Sequence, residues 1–465
     1  MTTWFALRWP RALVALAALA SAVLPAHAGM MNVPCDRPYV FRDAAVNVVV
    51  LPFALPRQNP ATANRLAQLV QREALRSIAK FGSVASVQLS ESGGSGCSPE
   101  EVRAKLLGTQ ASGGVPVAPG RGLVLVWGRI VESGDSLYSQ VFVDFVRSGS
   151  VERLQLAFGD GQLVGPLGVQ GLAGPQRSID RATLDKIDAF ALRNNVLYES
   201  PDPNSPHTTI PPEVPFSYYV TEIRGDWMRI VVFEPGRMPT GPVQNGQSAF
   251  AGKQWIRAVA SEPEWTLRKL WPEIAFIEGA AGYLVASDPK PAASLASRTA
   301  LAAAASRALD EFQENLARNS LPGEREAFDD RYGGARAVAS SLQGLLRLMP
   351  AERSNADLRA ARDRFAAATQ AAPGNAEARN LTLMTDLVLA RNADSPEPAL
   401  RAADALLATL GIAPASAALQ ANLRLADRWL LGQAGPLPRW RPLDADERAR
   451  LAATLADLGR VAPGR

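Results

Sequence analysis

The chain is predicted to be multi-domain: an α/β amino-terminal domain, a small all-β barrel and an all-α helical-repeat carboxy-terminal domain. Three observations predict this division. Nearly continuous apolar strand runs alternate with helical periodicity up to Phe158, short alternating strands broken by Gly and Pro fill 184–260, and from Ser261 onward the composition turns Ala-rich with helical spacing. At 465 residues the chain is long enough for several domains, each burying its own core.

Residues 1–28 carry basic Arg8 and Arg11, an apolar run from Ala12 to Leu24 and the small-residue ending Ala26-His27-Ala28. This is the tripartite pattern of a cleavable secretory signal, so a periplasmic or secreted destination is expected. The apolar run falls short of the ~20 residues that span a bilayer, and no later stretch qualifies, the best one (Ile274 to Ala286) being short and interrupted by Glu278. The mature chain is therefore expected to have no transmembrane segment.

The first domain, 29–160, opens with a strand from Val46 to Phe53 whose unbroken apolar character suits burial on both faces. A helix follows, with Leu66, Leu69, Val70, Leu75, Ile78 and Ala79 at helical spacing and Gly82 as the stop. After a strand from Val84 to Leu89, Ser98-Pro99-Glu100-Glu101 supplies a cap, a Pro at the first helical position and a Glu at the third. Leu123 to Val131 and Leu137 to Val146 form a hairpin around Gly134-Asp135, and Val151 to Phe158 is a further strand. The order β-α-β-α-β-β-β, with its early Val-Val-Val-Leu-Pro-Phe and late Val-Trp-Gly-Arg-Ile, resembles the amino-terminal domain of TolB and related envelope-assembly proteins. That resemblance implies a fold and leaves function open. Cys35 and Cys97 are candidates for a disulfide, which would close a loop of about 60 residues and add roughly 4 kcal/mol; the alternative is two unpaired thiols.

Residues 161–183, rich in Gly, Gln and Pro, read as a linker. The run 184–260 then shows Leu192-Arg193, a Pro/Ser-rich turn from Pro201 to Pro206, Gly225-Asp226-Trp227-Met228-Arg229-Ile230 and Gly252-Lys253-Gln254-Trp255-Ile256. It resembles a bacterial SH3 domain, a non-catalytic binding module, departing from it by a Pro/Gly-rich insertion from Glu234 to Ala251. Trp227 and Trp255 match the two Trp positions of that pattern, as packing residues or as ligand contacts. Alternation over Val214 to Ile223 places Tyr219 opposite Tyr218 and Val220, so Tyr219, with Tyr198, is a candidate ring surface for a peptide or glycan; ordinary sheet surface is the alternative.

In 261–465, Ala361, Phe365, Ala368 and Pro373 follow the small-aromatic-small-Pro spacing of the second helix of a tetratricopeptide repeat. Ala402, Leu406 and Pro414 repeat most of it 41 residues later, with Thr409 in place of the small third residue. Three or four helix pairs are expected, from near Ala292 to the helix Asp444 to Leu458. Such pairs stack and leave a concave face for a partner segment. Asn380 and Met384 either face that groove or fill the helix pair. Ala275 to Tyr283 is expected as a first helix under the array, its Gly279 and Gly282 without a stated role.

Groups suited to catalysis are few in this sequence. Removing Arg8 and Arg11 from 49 basic side chains leaves 47 against 45 acidic, a formal +2, with the signs interspersed. Nucleic-acid binding, which needs clustered positive charge, is not expected. One histidine remains, His207, with no Gly-x-Ser-x-Gly elbow to serve. Ligand spacings of the Cys-x-x-Cys or His-Glu-x-x-His type are missing, as is a Lys in the Gly-rich Ser92 to Gly96, so neither metal, cofactor nor nucleotide is expected. Acidic pairs at Glu100-Glu101, Glu324 with Glu326 and Asp329-Asp330 suit helix starts. The expectation is a non-enzyme: an envelope scaffold or adaptor binding proteins or peptides, or alternatively a cell-wall protein binding peptidoglycan through the SH3-like run.

Overall fold

The structure is a computed structural model of the full chain. It describes residues 33–55 (43 aside), seven positions within 67–78, 81–91, 97–109, 115–167 (135 aside), 171–186, 196–209, 217–232, 254–257, 267–288, 295–318, 328–349 and 353–430. The expected signal segment, Leu192-Arg193, the insertion from Glu234 to Ala251 and the helix Asp444 to Leu458 lie outside the described residues.

The amino-terminal part is organised by one large mixed sheet. Its centre is β2 (Val46–Val50), flanked in parallel by β3 (Val84–Ser90) and β4 (Gly122–Ser133). β5 (Ser136–Arg147) turns back from β4 as an antiparallel hairpin, and β1 (Val33–Pro34) lies parallel to the far end of β3. Burial on both faces accounts for the apolar runs. Val46, Val48 and Val50 join one core, whereas Val49 and Leu51 join a second core with Val102 and Leu106 of α1 (Pro99–Leu106). As the local sequence requires, Ser98 caps α1, its Oγ accepting from the Glu101 N–H. Asn47, the polar residue inside β2, is satisfied by the Phe41 backbone, accepting from its N–H (2.9 Å) and donating to its carbonyl (3.0 Å).

The stretch expected as a linker is structured. After β6 (Arg153–Phe158), residues 161–183 contain β7 (Gly161–Pro166), β8 (Gly171–Ala173) and β9 (Arg177–Asp180). β7 pairs with β6 as a separate hairpin, and β8 and β9 share the outer edge of β5. Its glycines mark close packing, not looseness: a Cβ at Gly165 would lie 2.6 Å from Leu381, and one at Gly174 would overlap the Glu273 carboxyl.

A separate SH3-like barrel is not what the described strands form. β10 (Val196–Tyr198), β11 (His207–Thr209), β12 (Tyr218–Arg224), β13 (Trp227–Val232) and β14 (Trp255–Arg257) continue the main sheet in the order β11-β10-β14-β13-β12-β3. The seam is antiparallel, Tyr218 opposite Ser86 and Tyr219 opposite Ala85, and the Gln88 N–H donates to Ser217 Oγ at 3.0 Å. Alternation and turns specify strands locally; they do not say which edge those strands will pair with. Here the unpaired backbone of β3 provides that edge.

The carboxy-terminal part is all helical: α2 (Leu267–Leu270), α3 (Glu273–Ala286), α4 (Leu295–Arg318), α5 (Phe328–Arg347), α6 (Asn355–Ala371), α7 (Ala376–Asn392), α8 (Pro396–Ile412) and α9 (Ala417–Leu430). Ala361, Phe365 and Ala368 are fully buried, and Phe365 lies where any side chain at Gly344 of α5 would sit. Ala402, Leu406 and Thr409 are buried likewise on α8.

Between sheet and array lies α3, buried on every side. Phe276 meets Phe145 of β5 (6.1 Å between ring centres) on one side and Phe312 of α4 (5.3 Å) on the other. Gly279 and Gly282 permit this: a Cβ at the first would lie 2.5 Å from Leu309, and at the second 2.8 Å from both Ala305 and Phe81. The far end of α3 is locked by a buried polar network. Arg147 donates to Glu152 (2.7 Å), to the carbonyls of Gly120 and Leu284 and to Ser287 Oγ, while the Tyr283 hydroxyl donates to the other Glu152 oxygen (2.5 Å). A buried ion pair is tolerable when its remaining polar atoms are bonded in this way. At the near end, burial outweighs the helix's own N–H and the attraction of Arg177, and pushes the Glu273 carboxyl from the usual 4.5 up to about 7.

Two outcomes follow for stability. Gly282→Val forces overlap with Ala305 and Phe81 and should lower unfolding free energy by about 3 kcal/mol, read as a lower urea midpoint at unchanged slope. Between pH 4.5 and 7 the folded state holds a proton on Glu273 that the unfolded chain has released, so stability falls as pH rises through this window. Glu273→Gln should flatten that fall and raise stability above pH 7 by roughly 3 kcal/mol, checked by denaturant titrations across the window.

Candidate functional site

The strands added at the β3 edge bring three of the sequence-predicted residues onto one sheet face. Residues opposite each other in antiparallel strands share a face. The register pairs Trp227 with Arg257, Arg229 with Trp255, Tyr198 with Trp255, Tyr198 with His207, and Arg224 with Trp227. Between β12 and β13 the reversal is made at Gly225, whose φ of +56° is the left-handed conformation that glycine adopts without strain. The alternate positions Leu197, Met228 and Ile230 are buried.

The face interleaves rings and guanidinium groups. Tyr198 meets Trp227 edge-on (5.0 Å between centres, 90°) and His207 at 5.4 Å. Arg257 sits 5.9 Å from the Trp227 ring centre and Arg224 5.2 Å from that of Trp255, cation–π distances. Trp255 is buried and holds the packing, whereas Tyr198 and Trp227 are half-buried and His207, Arg224, Arg229 and Arg257 are exposed. Glu222 pairs with Arg224, and Arg229 donates to Gln254 at 3.0 Å. Chemically, this surface offers aromatic stacking area beside cationic donors. Arg224, Arg229 and Arg257 were not singled out from sequence, although Arg229 and Arg257 each stand two residues from a predicted Trp; Arg224 meets Trp227 only through the β12–β13 turn.

Tyr219 lies apart from this cluster, at the end of β12 that pairs with β3. There it stacks on Phe41 (5.9 Å between centres, 27°) and packs against the second core.

Nor do Asn380 and Met384 line an open groove. They are almost fully buried against the β6–β7 hairpin of the same chain. Asn380 Nδ2 donates to the Val164 carbonyl (3.1 Å); Asn422 donates to that carbonyl (2.8 Å) and to Asn380 Oδ1 (2.9 Å), and accepts from the Val164 N–H (2.8 Å). The side of the array formed by α7 and α9 is therefore filled. Phe158 closes the contact edge-on to Trp429 at 5.0 Å. Asn422 escaped the sequence reading, yet it lies 42 residues after Asn380, close to the 41-residue interval of the helical repeat.

Cys35 and Cys97 form a disulfide with Cα atoms 5.5 Å apart, tying the end of β1 to the approach to α1. Among the described residues there is no group of three or more His, Cys, Asp or Glu placed to hold a metal ion, and no helix long and apolar enough to cross a membrane. Comparison of the chain with protein-family profiles, curated proteins and solved structures finds no match.

The asparagine clamp is open to a direct test. Asn422→Ala leaves the Val164 N–H buried without its acceptor and should cost about 2 kcal/mol of stability, while combining it with Asn380→Ala should cost less than the sum because both bond one peptide group. Urea unfolding of the two single variants and the double variant measures this coupling.

Proposed function

We propose that the chain is a non-catalytic scaffold or adaptor of the bacterial cell envelope, exported by its leader, which holds a protein or peptide partner on the β10–β14 face. The observation that carries this reading is the convergence of Tyr198 and Trp227 with Arg224, Arg229 and Arg257 on one surface. Half-buried rings on a rigid sheet present large contact area at low entropic cost, and Tyr, Trp and Arg are the residue types that dominate binding energy at interfaces. The side of the helical array formed by α7 and α9, where Asn380 and Met384 lie, is occupied by the hairpin, so the sheet face is assigned the contact.

A second reading, binding of peptidoglycan, is favoured by the same mixture of groups. Aromatic rings stack on the apolar faces of sugars, and guanidinium groups pair with the carboxylates of stem peptides.

Crosslinking affinity purification of the mature chain from its native envelope, run beside a sacculus-pelleting assay, separates the two. Trp227→Ala and Arg257→Glu should each reduce recovery of the partner by about tenfold or more, the change at exposed Arg257 without moving the melting temperature. Co-purifying proteins that both variants retain in full would overturn the assignment to this face. Pelleting with sacculi that both variants lose, in the absence of co-purifying proteins, would replace the adaptor reading by the wall-binding one.

A further inference from the structure

A second site is built from different elements. A cleft of about 600 Å³ opens where the carboxy-terminal ends of α3 and α5 meet one face of α4. The α4 positions that line it, Thr299, Ala302, Ala303, Ser306 and Asp310, recur at helical spacing, so the cleft runs along that helix. Its volume is in the range of small-molecule sites. Part of the lining is apolar: Ala286, Ala302, Ala303, Leu346 and Met349.

The charges that line it are equal in number but not equally engaged. Three carboxylates line the cleft, and each is engaged. Asp288 accepts from Arg121 (2.5 Å); Asp310 accepts from Arg364 (3.1 Å) and Gln343 (2.7 Å); Asp357 accepts from the N–H (3.0 Å) and hydroxyl (2.6 Å) of Ser354, the cap of α6. Three arginines also line it: Arg298, Arg307 and Arg347. Arg347 faces Asp357, whereas Arg298 and Arg307 make no hydrogen bond or ion pair among the described residues. The Arg298 Nε–H is moreover buried without an acceptor. Leaving such a donor unmade is costly, and an acceptor brought by a ligand would remove that cost.

We propose that this cleft binds a small amphipathic anion, a carboxylate or phosphate head held by Arg298 and Arg307 with an aliphatic body along the alanine-lined side of α4. A guanidinium group suits either head, because both offer paired oxygens at matching spacing. The alanines provide an apolar surface without hydrogen-bonding demands, and the engaged carboxylates keep the remaining field positive.

Thermal unfolding of the full chain at constant ionic strength tests this, with octanoate, octyl phosphate and inorganic phosphate as probes. A rise in Tm of several degrees is expected with octanoate or octyl phosphate, and whichever is stronger names the head group. Arg298→Gln with Arg307→Gln should weaken the response about tenfold or more. Ala303→Trp, an exposed position on the cleft wall, should block it while leaving both arginines in place. No rise with either amphiphile, or one that both variants retain, overturns the site. A rise with inorganic phosphate equal to that with octyl phosphate overturns the amphipathic assignment.

Discussion

Helix α3 has no polar face, and this requirement organises the molecule around it. A helix apolar on all sides must be covered on all sides, so the sheet and the helical array are pressed against it from opposite directions and share one continuous core. Gly279 and Gly282 set how close that approach is, letting Leu309, Ala305 and Phe81 reach the helix backbone. Its polar groups are each engaged or set at an end: Glu273 at one end, Tyr283 and Ser287 at the other, tied to the Arg147–Glu152 pair, and Glu278 midway along, paired with Arg268 of α2. The large mixed sheet and the all-helical carboxy-terminal part in this way meet in one core at α3.

Two further contacts extend the arrangement and leave defined surfaces behind. The β3–β12 seam absorbs Tyr219 into the core, and the β6–β7 hairpin fills the side of the array lined by Asn380 and Met384. Surfaces that a sequence reading would offer to partners are thus used internally. What remains is chemically mixed: rings beside arginines on the outer sheet face, and two arginines without partners among the described residues above an alanine-lined cleft.

Much of the fold was legible because it rests on local signals. The unbroken valines of β2 announced burial on both faces, Ser98-Pro99-Glu100-Glu101 announced the start of α1, and Ala361, Phe365 and Ala368 announced a buried helix face. The errors share a cause. Gly-rich 161–183 read as linker because composition cannot distinguish a glycine that frees the chain from one that admits a neighbour, as Gly165 and Gly174 do. The pairing of the SH3-like run with β3 was not anticipated because strand periodicity is silent about pairing across the 129 residues that separate Gln88 from Ser217. Of the candidate site, Tyr198 and Trp227 were found by residue type, but their arginine neighbours emerged only once the register was known.

The seam between β3 and β12 also bears on the order in which the chain can fold. β1 to β5 complete a mixed sheet from residues up to Arg147, but the starting half of β3 keeps a bare edge until Ser217 to Tyr219 arrive. Non-local pairing of this kind is slow, since a long loop must close before any contact rewards it. During that interval the exposed edge can recruit a neighbouring chain as readily as its own distant strand. The route to the native state is therefore a race between an intramolecular closure and a concentration-dependent one, decided at Ala85 and Ser86.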